Sequence, residues 1–192
     1  MVSAQQFDSL RLELATKAKN GLDFILAASL VWAAITFVWT LPLPVATRGF
    51  ITFFVGALTL PLAWLLSKAL GTIWTLPHNP LQPLGLVLNL AQLFYFPFLL
   101  FIFMRYPQHF VMCYGIITGA HFFPYAWLYR APAYGVAAGL ISGGCLVLGL
   151  TLAPALLYLI PGFITVSLLG LAGLLLLGHR RNRPAYAAAA SL

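Results

Sequence analysis

The chain has 192 residues, of which 62% are apolar, 15% are aromatic and only 7% are charged. Soluble globular proteins carry about 25% charged residues, so this composition excludes a water-soluble enzyme. The formal net charge of +7 does not indicate nucleic-acid binding. The basic residues flank apolar segments, where lysine and arginine set the orientation of membrane proteins.

The first segment of the chain is polar and is predicted to be an amphipathic helix. Phe7, Leu10 and Leu14 follow the spacing of one helical face, and charged residues occupy the rest of the surface. The segment is too polar for a secretory signal. We predict that residues 1–21 form a cytoplasmic lead helix, which lies along the inner membrane surface or docks on the remainder of the protein.

Five stretches without Asp, Glu, Lys or Arg follow this lead helix. A hydrocarbon core of ~30 Å takes about 20 apolar residues at 1.5 Å per residue, so each stretch is long enough to cross it. The last stretch holds two spans, because Pro154 cannot continue a hydrogen-bonded helix. We predict an all-α polytopic membrane protein, a bundle of six transmembrane helices within one domain over residues 22–178. The predicted spans are residues 22–41, 49–68, 84–104, 109–129, 133–152 and 156–177.

The basic residues predict which side of the membrane each end occupies. With six spans, both termini lie on one side, and that side is predicted to carry most of the Lys and Arg residues. Only Arg48 and Arg105 fall on the other side. Both termini, including a basic, alanine-rich tail over residues 179–192, are therefore predicted to be cytoplasmic. The basic residues on the cytoplasmic side are Arg11, Lys17, Lys19, Lys68, Arg130, Arg180, Arg181 and Arg183.

Small residues predict which helices pack most closely. In the fifth span Gly135, Gly139 and Gly143 recur every four residues, and in the fourth span Gly115 and Gly119 have the same spacing. Glycine lets helix backbones approach each other in lipid, where no hydrophobic effect drives helices together. We predict that the fourth and fifth spans pack tightly through these glycine faces.

The third and fourth spans each carry a stripe of polar side chains. Asn89 and Gln92 share a face of the third span, and His121 and Tyr125 share a face of the fourth. Gln92 and His121 lie at matching depths, ~12 Å from the inner boundary at 1.5 Å per residue. We predict a polar layer of these four residues in the cytoplasmic half of the membrane. Three further polar residues are predicted to lie near the cytoplasmic opening of this layer: Arg130, His78 and Asn79.

Several roles for this polar layer remain open. Its side chains can simply pair the two helices, because each group can find a partner among the others. An ionisable residue inside a membrane is also a candidate for binding or transporting a small solute. Catalysis is disfavoured, because His121 has no carboxylate to orient it and the spans contain no acid beyond the boundary residue Asp23. The histidines lack the spacing of metal ligands, and we expect no metal, no cofactor and no enzymatic activity.

Two segments carry a resemblance to known proteins. The segments are NPL at residues 79–81 with NLAQLFYFP at residues 89–97, and TGAHFFPYAWLY at residues 118–129. They resemble a family of small bacterial multi-spanning membrane proteins of unknown function. The resemblance implies a bacterial inner-membrane protein and supplies no activity, substrate or cofactor.

The size and the predicted span number are also similar to those of the substrate-capturing subunits of energy-coupling vitamin transporters, although no motif is shared. From the polar layer, and not from this similarity, we expect a multi-pass membrane protein that binds or transports a small solute. The alternatives are a structural or partner-binding membrane protein whose polar layer only pairs helices, and a subunit similar to those of the vitamin transporters. The expected partners are the lipid bilayer, a small-molecule ligand and a second copy of the chain.

Overall fold

The computed structural model describes residues 3–189, and for residues 185 and 187–189 it describes the backbone alone. These residues form helices joined by short turns and contain no β-strand, which confirms the all-α prediction. The helices are α1 (Ala4–Lys17), α2 (Leu22–Thr40), α3 (Val45–Ala57), α4 (Thr59–Leu70), α5 (Gln82–Ala91), α6 (Phe96–Arg105), α7 (Phe110–His121), α8 (Phe123–Leu128), α9 (Ala133–Thr151) and α10 (Leu159–Ala189).

Five helical segments of the described residues are long and apolar enough to cross a membrane. The predicted span over residues 109–129 is not among them. It is divided between α7, which ends at His121, and α8, which begins at Phe123. The prediction of six spans is therefore not confirmed. The five segments are Lys19–Thr40, Val45–Leu70, Gln82–Arg105, Ala133–Thr151 and Pro154–Pro184.

Each break within a predicted span lies just before a proline. Pro61, Pro97 and Pro124 fall in the first turns of α4, α6 and α8. Proline has no N–H to donate and its ring clashes with the preceding turn, but neither matters in the first turn of a helix. The chain therefore ends one helix and begins the next at these points. A 3₁₀ turn over Gln92–Tyr95 connects α5 to α6.

The centre of the bundle is α2, which packs mainly against α10, α4 and α3. Ile35 and Trp39 of α2 are buried, as are Ile164 and Leu168 of α10. The indole nitrogen of Trp39 donates to the hydroxyl of Thr52 at 3.0 Å, which joins α2 to α3. This contact gives the one polar atom of a buried indole its partner.

The close approach of α7 and α9 depends on two glycines of α7. A methyl group on Gly115 would lie 2.6 Å from Sγ of Cys145, and one on Gly119 would lie 2.8 Å from the backbone nitrogen of Ser142. The predicted tight packing of these helices is confirmed. On α9 the prediction is wrong for Gly139 and Gly143, which have no neighbouring atom within 4 Å of the position that a methyl group would take. A methyl group on Gly135 would lie 3.6 Å from Cβ of Ala126 in α8.

The last helix is longer than the predicted span. It continues past residue 178 without a break and runs to Ala189. Arginine and alanine are good helix formers, so the helix continues from the apolar segment into the predicted tail. Residues 190–192 of the predicted tail lie outside the described residues.

We predict that Gly119→Ala lowers the free energy of unfolding by about 1–3 kcal/mol, because the added methyl group forces α7 and α9 apart. Gly139→Ala is the matched control, since its methyl group meets open space and alanine favours helix by about 1 kcal/mol. Unfolding in detergent, followed by circular dichroism, measures both variants. Equal stability of the two variants would show that the α7–α9 contact is not close-packed.

Candidate functional site

The predicted polar layer brings α5 and α8 together at one carbonyl group. The carbonyl oxygen of Gly85 accepts a hydrogen bond from Nδ2 of Asn89 at 3.1 Å and a longer one from the hydroxyl of Tyr125 at 3.5 Å. The ring of Tyr125 is buried, whereas the amide of Asn89 is half-buried. A methyl group on Gly85 would lie 3.8 Å from Cδ2 of Leu128, which is an ordinary contact, so this approach does not require glycine.

His121 completes this layer at the end of α7. Its imidazole meets the ring of Tyr125 edge-on, with ring centroids 5.3 Å apart. The side chain is half-buried, and within residues 3–189 its ring nitrogens form no hydrogen bond. Gln92 is also half-buried and lies in the turn between α5 and α6. These contacts group Asn89, His121 and Tyr125, and Gln92 takes part in none of them. The amide, phenol and imidazole groups are able to donate and accept hydrogen bonds.

The other three predicted site residues do not join this layer. Nε2 of His78 lies 2.8 Å from Oε1 of Glu13, and Nδ2 of Asn79 donates to Oε2 of Glu13 at 2.8 Å. Asn79 also donates to the carbonyl oxygen of Leu10 at 2.9 Å. Arg130 is exposed and has a left-handed backbone with a φ of 51°. His78 and Asn79 instead hold the lead helix against the loop before α5.

A second contact holds the other face of the lead helix. Nε of Arg11 donates to the carbonyl oxygen of Trp127 at 2.9 Å, and the guanidinium lies 4.7 Å from the centre of the indole ring. The ring of Phe7 packs on the same indole at 5.6 Å. The helix α1 therefore docks between the loop before α5 and the end of α8, and it also packs against α10.

A buried carboxyl group lies beside this region, and sequence reasoning missed its role. Asp23, at the start of α2, is only 1% exposed. Its Oδ2 accepts hydrogen bonds from Oγ1 of Thr72 at 2.7 Å and from Nε1 of Trp74 at 2.6 Å. The signal in the sequence was an acid at the edge of an apolar stretch, since such a residue needs donors from elsewhere in the chain.

The turn before α2 places a further polar group in the interior. Asn20 is fully buried. Its backbone carbonyl oxygen accepts from the hydroxyl of Tyr134 at 2.6 Å, and its side-chain Nδ2 donates to the backbone carbonyl oxygen of Leu175 at 3.1 Å. Gly21 has a φ of +72° and lies against the ring of Tyr129, so a side chain there would be strained and crowded. The turn therefore joins α2 to both α9 and α10.

Comparison with known proteins identifies one match. The model of a family of unknown function, DUF7010, matches residues 7–178, which is most of the chain. This match confirms the resemblance to a family of unknown function. No curated protein and no solved structure matches the chain.

We predict that Trp74→Phe lowers the free energy of unfolding by about 1–3 kcal/mol, because the buried carboxyl of Asp23 loses one of its donors. The replacement keeps an aromatic ring against Phe24, whose centroid lies 4.9 Å from that of Trp74. Trp64→Phe is the matched control, since Trp64 is 51% exposed. Chemical unfolding in detergent, followed by circular dichroism, compares the two. An equal effect of both replacements would contradict a special role for the indole of Trp74.

The hydrogen bonds of Glu13 predict that the stability of the folded protein depends on pH. Burial opposes ionisation of Glu13, but hydrogen bonds from His78 and Asn79 outweigh it and hold the pKa of its carboxyl below the ordinary value of 4.5. A lowered pKa stabilises the folded state above pH 4.5, and this contribution is lost as the pH falls below that value. The melting temperature of the wild type should therefore fall more steeply below pH 4.5 than that of Glu13→Gln.

The control for this pH dependence is Asp8→Asn. Asp8 is 52% exposed at the side chain and pairs with Arg11 of the same helix. An exposed pair of this kind contributes little, about 0–1 kcal/mol, so the variant should follow the wild type. Identical pH profiles of Glu13→Gln and the wild type would show that Glu13 does not hold the lead helix in place.

Proposed function

The chain belongs to the DUF7010 family of unknown function, and we propose that it is a multi-pass protein of a bacterial inner membrane with both termini in the cytoplasm. The sixth crossing in this proposal is the broken pair α7 and α8. Residues 110–128 rise ~28 Å at 1.5 Å per residue, which approaches the thickness of the hydrocarbon core. The excess of basic residues on the side of the termini supports the orientation.

We propose that this protein binds a small polar solute and that it transports this solute. One observation carries the proposal: the imidazole of His121 lies half-buried against Tyr125 with no hydrogen-bond partner in the described chain. A neutral imidazole has one donor and one acceptor, and an apolar environment leaves both unpaired at a cost. A bound solute with hydrogen-bonding groups supplies both partners. The proposed binding residues are Asn89, Gln92, His121 and Tyr125.

The packing of the neighbouring helices supports the proposed entry of a solute. Within the segment Gln82–Arg105, which carries Asn89 and Gln92, the only buried residue is Leu99. A segment held by so few buried contacts moves at a low cost in free energy. The 3₁₀ turn between α5 and α6 lies at Gln92 and is a natural hinge for such a movement.

A structural role is the second candidate, and a different observation favours it. Asn89 and Tyr125 already share the carbonyl oxygen of Gly85 as their acceptor. Hydrogen bonds between membrane helices contribute about 0.6 kcal/mol on average, so this contact can stabilise the α5–α8 pair without any ligand. In this candidate the layer only pairs helices. We propose no enzymatic activity in either case.

We predict that the wild type purified in mild detergent carries a small molecule that native mass spectrometry detects, and that His121→Ala loses it. The reason is that the replacement removes both hydrogen-bonding nitrogens of the proposed site. His109→Ala is the matched control, because His109 precedes α7 at its opposite end. That variant should retain the bound molecule.

The stability of the same variants separates the two candidates. Solute binding predicts that His121→Ala melts within a few degrees of the wild type. The absence of any bound molecule from the wild type, together with a marked loss of stability in Tyr125→Phe, would instead establish that the layer pairs helices.

A further inference from the structure

A cleft of about 250 Å³ lies at the end of the bundle that carries the termini. It is formed where the end of α1, the turn after α4 and the final turns of α10 meet. Gly71 and Ile73 form one wall. The remaining wall is basic and consists mainly of Lys17, Lys19, His179 and Arg183.

Among residues 3–189, no carboxylate forms an ion pair with a basic residue of this cleft. The chain has only three acidic residues. Asp8 pairs with Arg11, Glu13 with His78, and Asp23 accepts from Thr72 and Trp74. The charge of Glu13, one helical turn before Lys17, acts on Lys17, so the described carboxylates offset only part of the positive charge of the cleft.

Two of the lysines are held in place by neutral contacts. Nζ of Lys17 lies 5.5 Å from the centre of the ring of Tyr186, and Nζ of Lys19 donates to the carbonyl oxygen of Leu70. Neither contact cancels the charge of the ammonium group. The cleft therefore combines three permanent cations with an imidazole and keeps its positive charge.

The backbone is strained where it places one of these cations. Lys19 and Asn20 have φ values of 47° and 57°, in the left-handed region that non-glycine residues avoid. Such a conformation persists only where the surrounding structure holds it. It turns the chain between α1 and α2 so that Lys19 lines the cleft.

The histidine of the cleft has an unused polar atom. Nδ1 of His179 is buried and has no hydrogen-bond partner among the described residues. The charges of Lys19 and Arg183 act on the same imidazole. A buried nitrogen without a protein partner is rare, and it is available to pair with a water molecule or with a bound group.

We propose that this cleft binds a phosphate group, carried by a lipid headgroup or by a phosphorylated solute. A phosphate has several acceptor oxygens and up to two negative charges, which suits a guanidinium, two ammonium groups and an imidazole better than a single carboxylate would. Anionic headgroups also concentrate at the cytoplasmic surface, where juxtamembrane basic residues attract them. This site shares no residue with the polar layer of α5 and α8 and does not depend on it.

The test uses the full chain in a neutral detergent and two probes, inorganic phosphate and dioctanoyl phosphatidic acid, with dioctanoylglycerol as a probe without phosphate. Calorimetric titration measures each affinity. The variant is Lys17→Gln with Arg183→Gln, and the matched control is Arg180→Gln with Arg181→Gln. The control removes the same charge from the same end of the protein but spares the cleft.

We expect the wild type to bind a phosphate probe saturably. The affinity of the cleft variant should be at least ~10-fold weaker, because the variant loses charge-assisted hydrogen bonds. The affinity of the control should lie within about twofold of that of the wild type. Comparable binding of both phosphate probes assigns the site to soluble phosphates. Much tighter binding of phosphatidic acid, with none of dioctanoylglycerol, assigns it to a lipid headgroup. Each result supports the proposal.

Three results would overturn it: no saturable binding of either phosphate probe, equal weakening in both double variants, or equal binding of dioctanoylglycerol. Equal weakening would mean a diffuse attraction to the basic surface rather than a site. Melting temperatures verify that the variants fold. The single replacements Arg183→Gln and Arg180→Gln repeat the comparison if the double cleft variant does not fold.

Discussion

Most polar groups buried in this protein find their partners within the protein, because the apolar segments around them bring no water. Among the described residues, Oδ1 of Asn20 and Nδ1 of His179 are buried without a partner. Asp23 shows the consequence most directly. Its carboxyl enters the interior with the first turn of α2 and is satisfied by Thr72 and Trp74, which come from the turn after α4. This one contact joins segments that are far apart in the sequence, and it determines where the turn after α4 lies.

The same constraint organises the whole end of the bundle that carries the termini. The buried turn at Asn20 is held by Tyr134 of α9 and by the backbone of α10. The lead helix lies across this end, held by Glu13 on one face and by Arg11 on the other. Polar contacts thus replace the close packing that the apolar spans provide elsewhere. Both proposed binding sites belong to this half of the protein, where the remaining polar groups without protein partners are found.

The sequence predicted the helical fold but only part of the detail of helix packing. Prolines lie close to the positions where one helix ends and the next begins. The sequence alone does not distinguish a proline in the first turn of a new helix from a proline within a kinked span. Glycine spacing correctly indicated that α7 and α9 approach closely through Gly115 and Gly119. The same spacing gave a wrong prediction of close contact at Gly139 and Gly143. A repeat shows that residues lie on one face of a helix, but it does not show which element that face contacts.

For the candidate site, periodicity placed Asn89 with Gln92 and His121 with Tyr125, since residues on one helical face follow from spacing alone. It did not show that His78 and Asn79 bind the lead helix, because that contact depends on where a separate segment docks. Composition and the length of apolar stretches thus determine the helical, membrane-type character of the chain, since these are properties of local sequence. The partners of Asp23, Asn20 and Glu13, and the grouping of Lys17, Lys19, His179 and Arg183 in one cleft, were decided by tertiary structure alone. Such contacts join residues far apart in the chain, and no local pattern records which distant segment will supply a donor, an acceptor or a charge.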